Sequence, residues 1–194
     1  MLRALLIVDI QKDYFPGGRM ELVGAEAAAG RAAELLSAFR ESGEPVFHIQ
    51  HVWDAPDAPF FAPGTEGVEI HPAVTPAAGE PLITKEHANA FLDTSLEADL
   101  RGAGVEDVVI CGMMTSMCVD ASARASDDLG FKTSIAADAC AAPDLQSGDE
   151  TIPGATVHKA VLAALDAMVA EVRDTSEIIA TRRGSGAVQA GRAD

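Results

Sequence analysis

Cysteine is scarce in this chain of 194 residues: three are present, an odd number, and no two stand in a CxxC spacing. A disulfide framework or a zinc site is therefore not expected, and a reducing cytoplasm is the expected compartment. Basic residues are also few, 14 Lys and Arg against 30 Asp and Glu, for a formal net charge of −16. Such a surface repels phosphate backbones and anionic head groups, so neither nucleic acid nor a membrane is an expected partner. No apolar run approaches the ~18 residues of a membrane span. The opening MLRALLIVDI is interrupted by Asp9 and lacks a small-residue cleavage site, so it reads as a buried strand rather than a secretory leader. No GxGxxG follows that strand, and neither a Walker A loop nor a GxSxG elbow occurs. No internal repeat is visible.

What is present is a chain that is 48% apolar, enough for one core, read as a single domain over 1–181 with a polar tail at 182–194. Short apolar runs at Leu5–Val8, Pro45–His51, Pro81–Thr84, Val108–Cys111 and Thr133–Ala137 alternate with helical patterns. Helices are expected over Ala25–Arg40, from a cap at Asp93 or Thr94 through Ala103, after Thr115, and over Gly154–Val172; a sixth strand or closing helix is expected near Glu171–Ala180. That alternation predicts a three-layer α/β/α, Rossmann-like fold around a mostly parallel six-stranded sheet. The Pro- and Gly-rich segment from Val52 to Glu80 is too long for an ordinary connection and reads as a wall or lid.

The stretch VVICGMMTSMCVDASARASDDL joins a strand to a helix, with Thr115 read as N-cap and Cys118 in the first turn, where the helix dipole favours a thiolate. Cys111 and Cys140, in or beside strand-like runs, read as small buried thiols. A parallel sheet gathers the carboxyl ends of its strands at one edge, which brings Asp9, Lys85 and Cys118 within reach of one another. Pocket candidates near that edge are Phe15, Trp53, Phe61, His87, Asn89 and Met117. His48 and His51 are an odd number of residues apart on a strand, so they face opposite sides and make a poor metal pair.

LLIVDIQKDYFPGG, GTEGVEIHP, ITKEHANAF and ICGMMTSMCVDASARASDDLGF together resemble the isochorismatase-like cysteine hydrolases. That family includes nicotinamidases, N-carbamoylsarcosine amidohydrolases and streptothricin hydrolases, and the resemblance spans Leu5 to about Val172. It implies a triad of Asp9, Lys85 and Cys118, a non-proline cis peptide at Met113–Met114, and an oxyanion hole from the backbone N–H groups of Met114 and Cys118. It also implies a homo-oligomer, dimer or tetramer. The positions of the nicotinamidase metal ligands hold His51 and Trp53, with only His71 retained, so no metal and no cofactor is expected and nicotinamide is disfavoured. Cleavage of a vinyl ether does not need the cysteine, so Cys118 points instead to a carbonyl carbon. The resulting expectation is a cysteine-dependent amidohydrolase acting on a small amide, carbamoyl compound or lactam through a thioester. The alternatives are an enol-ether hydrolase with Asp9 as the acid, a non-catalytic binding protein on the same fold, and His51 replacing Asp9 as the base.

Overall fold

The computed structural model describes residues 2–187. Among these residues eight strands are formed: β1 Leu2–Val8, β2 Val46–His51, β3 Leu82–Lys85, β4 Val105–Met113, β5 Lys132–Ala141, β6 Leu145–Ser147, β7 Glu150–Ile152 and β8 Glu171–Arg173. Five α-helices accompany them: α1 Ala25–Ser42, α2 Leu96–Gly102, α3 Asp120–Asp128, α4 Gly154–Met168 and α5 Thr175–Ala187. Six strands make one sheet in the order β3-β2-β1-β4-β5-β8, every neighbouring pair parallel. β6 and β7 form a separate antiparallel hairpin.

The continuous apolar run of β1 follows from cover on both faces. Leu5 and Ile7 join the core with the α1 residues Ala28, Ala32, Leu35 and Phe39 and with Ile178 of α5. Ala4, Leu6 and Val8 point the other way, into a core with Leu96 and Leu100 of α2, Ala123 of α3 and Leu165 of α4. The fold is thus the expected three-layer α/β/α sandwich. The inner face of α1 is rich in alanine, with Ala25, Ala28, Ala29 and Ala32 all buried. The helix stops at Gly43, whose φ of 67° lets its N–H turn back to the Arg40 carbonyl at 3.1 Å.

Two boundaries moved from their expected places. α4 ends at Met168 rather than Val172, because Glu171–Arg173 is drawn out to pair with β5 as the edge strand β8. Both a sixth sheet strand and a closing helix occur near the end. α5 carries the first residues of the expected polar tail, 182–187, and 188–194 lie outside the described residues.

The strand order reverses its sense of growth between β1 and β4, and a crevice opens there at the carboxyl ends of the strands. The register between β4 and β5 slips between Ile110 and Gly112. Gly112 has φ 130°, and a Cβ there would strike the Val8 carbonyl of β1, so only glycine lets the two central strands close beside Asp9.

Candidate active site

Asp9 follows β1 directly and is fully buried, with φ 49°, a left-handed backbone for a residue that carries a Cβ. Such a conformation costs on the order of 1 kcal/mol and persists where the surroundings fix it. Here the Asp9 N–H donates to the Ile49 carbonyl at 3.1 Å and its own carbonyl accepts from Gln11 N–H at 2.9 Å. Gln11 in turn clamps the end of β2: its side-chain oxygen accepts from His51 N–H at 2.8 Å, and its Nε2 donates to the His51 and Val68 carbonyls, both at 2.8 Å. The parallel register of β2 and β3 sets His51 beside Lys85, the last residue of each strand.

Lys85 Nζ occupies the centre of the group. It lies 2.7 Å from Asp9 Oδ2, 2.9 Å from the His87 carbonyl, 3.0 Å from His51 Nδ1 and 3.3 Å from Cys118 Sγ. An ammonium has three protons for these four acceptors. Its contact with Asp9 pairs the buried ammonium with one carboxylate oxygen, Oδ2. The carboxylate therefore keeps lone pairs open to a proton. His51 Nδ1 also lies 4.0 Å from Cys118 Sγ and 3.9 Å from Asp9 Oδ2.

Electrostatics sharpen the picture. Burial raises the Asp9 carboxyl above its ordinary value, opposed by the adjacent Lys85 charge. Burial, and then the negative charge of Asp9, push the Cys118 thiol well up, with Lys85 again opposing. Burial and the Lys85 charge push His51 down to about 4, so its imidazole is neutral and its Nδ1 accepts from the ammonium. Burial and Asp9 thus push Cys118 toward the thiol, against the pull of the helix dipole toward a thiolate. Cys118 does lie in the first turn of the helix: Thr115–Val119 form a π-helical turn, in which the N–H groups of Met117 and Val119 both reach the Met114 carbonyl at 3.1 Å, and the turn runs on without a break into α3 at Asp120. Thr115 does not cap it; its hydroxyl pairs with His158 Nδ1 at 2.9 Å. The Met113–Met114 peptide that leads into the turn is cis.

A cavity of about 200 Å³ opens onto Cys118. Trp53 and Met117 line it, together with Met114 and with Tyr14, Phe60 and Ala88, the last three not among the sequence candidates. Phe61 is not on its surface; the ring is fully buried behind it, 4.7 Å edge-on from Tyr14. Phe15 faces away and stacks on His71 at 3.8 Å beside a separate cavity of about 520 Å³. Phe15 directly follows the 3-10 turn at Lys12–Tyr14, and Phe61, with φ 55°, turns inward where Phe60 turns to the cavity. The His87 side chain pairs with Asp93 at 3.4 Å, so that residue serves Lys85 through its carbonyl alone. Asn89 accepts from Phe91 N–H at 2.9 Å, closing a local turn. Neither side chain lines the cavity.

Asp9, His51 and Cys118 place potential ligand atoms within 4.8 Å of one another. All three atoms, however, surround Lys85 Nζ, so the position a cation would take is filled by an ammonium. His71 lies against Phe15, its Nδ1 accepting from Ala73 N–H at 3.3 Å, and Trp53 offers no ligand. The residues present do not fit the metal site of the nicotinamidases.

The model of the Isochorismatase domain matches residues 3–177. The chain belongs to this family. An isochorismatase family protein of Bacillus subtilis, YddQ, is 46% identical over 179 residues, which cover 92% of this chain and 99% of that protein. The maleamate amidohydrolase of Pseudomonas putida is 35% identical over 144 residues, 67% of this chain and 68% of that one. Among solved structures, an isochorismatase hydrolase of Oleispira antarctica superposes with a TM-score of 0.89 at 44% identity, covering 92% of this chain and 96% of that chain. The six-stranded sheet and its flanking helices are those of isochorismatase-like hydrolases, and the chain is a hydrolase of that family.

Proposed function

We propose that this member of the isochorismatase family is an amidohydrolase that opens the C–N bond of a small amide through a thioester on Cys118. The observation that carries the reading is the buried ammonium of Lys85, 2.7 Å from Asp9 and 3.3 Å from Cys118 Sγ at the floor of an apolar cavity. A carboxylate with open lone pairs beside a thiol is a base awaiting its proton. As the sulfur attacks the carbonyl carbon, Asp9 takes that proton. The Lys85 N–H pointing at sulfur becomes charge-assisted as negative charge grows there, which lowers the barrier without fixing a thiolate beforehand. The carbonyl oxygen takes the electron pair and is received by the backbone N–H groups of Met114 and Cys118; one such donor contributes about 3 kcal/mol in comparable holes. Collapse of the adduct breaks the C–N bond, and Asp9 returns its proton to the leaving nitrogen. Water, deprotonated by Asp9, then attacks the thioester, releasing the acid and restoring the thiol. Lys85 stays protonated throughout, and His51, neutral, holds its orientation.

The relative named a maleamate amidohydrolase supports C–N cleavage on this scaffold. The test is ammonia release from a panel of small amides and ureides, with mass spectrometry of the quenched protein. An acyl adduct on the peptide holding Cys118 is expected, and Cys118→Ala should lower turnover at least about a thousandfold. Turnover of an enol ether that survives Cys118→Ala would establish the other chemistry, with Asp9 as acid.

A further inference from the structure

The cavity over Cys118 is walled by the side chains of Tyr14, Trp53, Phe60, Ala88, Met114 and Met117. Trp53 and Phe60 meet edge to face, with ring centroids 5.4 Å apart, and form an aromatic corner. Apart from the reacting thiol, the remaining lining residues are His51, neutral because its pKa lies near 4, and Glu86. Among the described residues no arginine or lysine lines the space, and the ammonium beneath it, Lys85, is fully buried and already shared among four acceptors. A substrate carboxylate entering here would lose its hydration with no counter-charge, and the only charged residue on the wall carries its own sign. Desolvating an unpaired carboxylate is among the costliest steps in binding. At about 200 Å³ the cavity is also smaller than the range of about 300 to 1,000 Å³ of drug-sized sites.

We infer that the site selects small uncharged amides with a flat apolar body seated against Trp53 and Phe60, and rejects amides that carry a carboxylate. This rests on the amidohydrolase reading and parts the chain from the Pseudomonas putida relative, whose named substrate, maleamate, is an anion. It likewise disfavours isochorismate, a dicarboxylate.

The selectivity is measurable with or without turnover. Iodoacetamide and iodoacetate differ only in amide against carboxylate, and both alkylate sulfur with loss of iodide. Their rates on Cys118, followed by peptide mass spectrometry and each divided by the rate on free cysteine, should favour the neutral reagent at least about tenfold. Met117→Lys places an ammonium at a half-exposed position on the wall and should narrow that ratio severalfold. Met168→Lys, which adds the same charge at an exposed site outside the cavity, should leave it unchanged. Equal normalised rates, or a ratio that moves as much in Met168→Lys, would overturn the inference. In parallel, ammonia release from cis-crotonamide is compared with that from maleamate, its near-isostere with carboxylate for methyl. Preference for maleamate sinks the selectivity but keeps the amidohydrolase. Discrimination between the alkylating reagents with no amide turned over sinks the amidohydrolase but keeps the selectivity.

Discussion

At the scale of single residues, the site is an arrangement for keeping a charge pair dry. Asp9 and Lys85 have fully buried side chains 2.7 Å apart. Removing one partner strands the other, so Lys85→Met should lower unfolding free energy by about 3–5 kcal/mol, whereas Asp9→Asn combined with Lys85→Met should recover much of that loss. Urea denaturation of the two single variants and the double variant completes the cycle; additive losses would show that the pair is not coupled. The raised Cys118 thiol makes a second prediction. Alkylation of an ordinary thiol levels off above its pKa of about 8.5, but the rate at Cys118 should still climb between about pH 9 and pH 10. A plateau below about pH 8 would mean a resting thiolate and would remove Asp9 from the role of base.

At the scale of elements, Lys85 is placed by an edge strand, and that strand is held by Glu80. Its carboxylate takes Arg40 Nε and Nη2 from α1 at 2.7 Å each, His48 Nε2 from β2 at 2.9 Å and Ala77 N–H at 2.8 Å. The Arg40 guanidinium leads in holding the Glu80 carboxyl down at about 2. A depressed carboxyl stabilises the fold above its unfolded value, near 4.5, and that stabilisation drains away as pH falls through 4.5 toward 2. Because Arg40 is partly exposed, Glu80→Gln should cost about 1–2 kcal/mol at pH 7. The gap between the variants should narrow steadily from pH 4.5 downward and close only below about pH 2, as followed by urea midpoints; a gap independent of pH would point to packing instead. Strands such as β1 and β4 were legible because cover on both faces leaves an unbroken apolar run. The hairpin β6–β7 was not, since Leu145, Gln146, Ser147, Glu150 and Thr151 are exposed and carry no period. The π-helical turn was hidden for another reason: Thr115 gives up its cap to His158, 43 residues away, and only the folded chain brings that partner. Asp9, Lys85 and Cys118 could be placed at one edge because each lies at or just beyond the carboxyl end of a strand in a parallel sheet. Which of two adjacent aromatics turned inward depended on the backbone at Lys12–Tyr14 and Phe61, where no sequence period applies.

At the scale of the whole molecule, the formal charge of −16 acts on any ligand before the cavity does. A field of that sign slows the encounter with anions and leaves neutral molecules untouched. The wall of the cavity and the net charge therefore discriminate in the same direction, but over different ranges, and salt separates them. The Debye length shrinks from about 30 Å at 0.01 M to about 10 Å at 0.1 M, so added salt screens the distant charges while the local cost of burying a carboxylate remains. The rate of iodoacetate at Cys118, relative to free cysteine, should accordingly rise about two- to fivefold between 10 and 300 mM sodium chloride, with iodoacetamide unchanged, and then level off still below the neutral reagent. Complete convergence of the two reagents at high salt would assign all of the discrimination to net charge and none to Trp53, Phe60 and their neighbours. A flat salt response with the preference intact would assign it to the cavity wall alone, and would mean that the acidic surface lies too far from the mouth of the site to steer what enters.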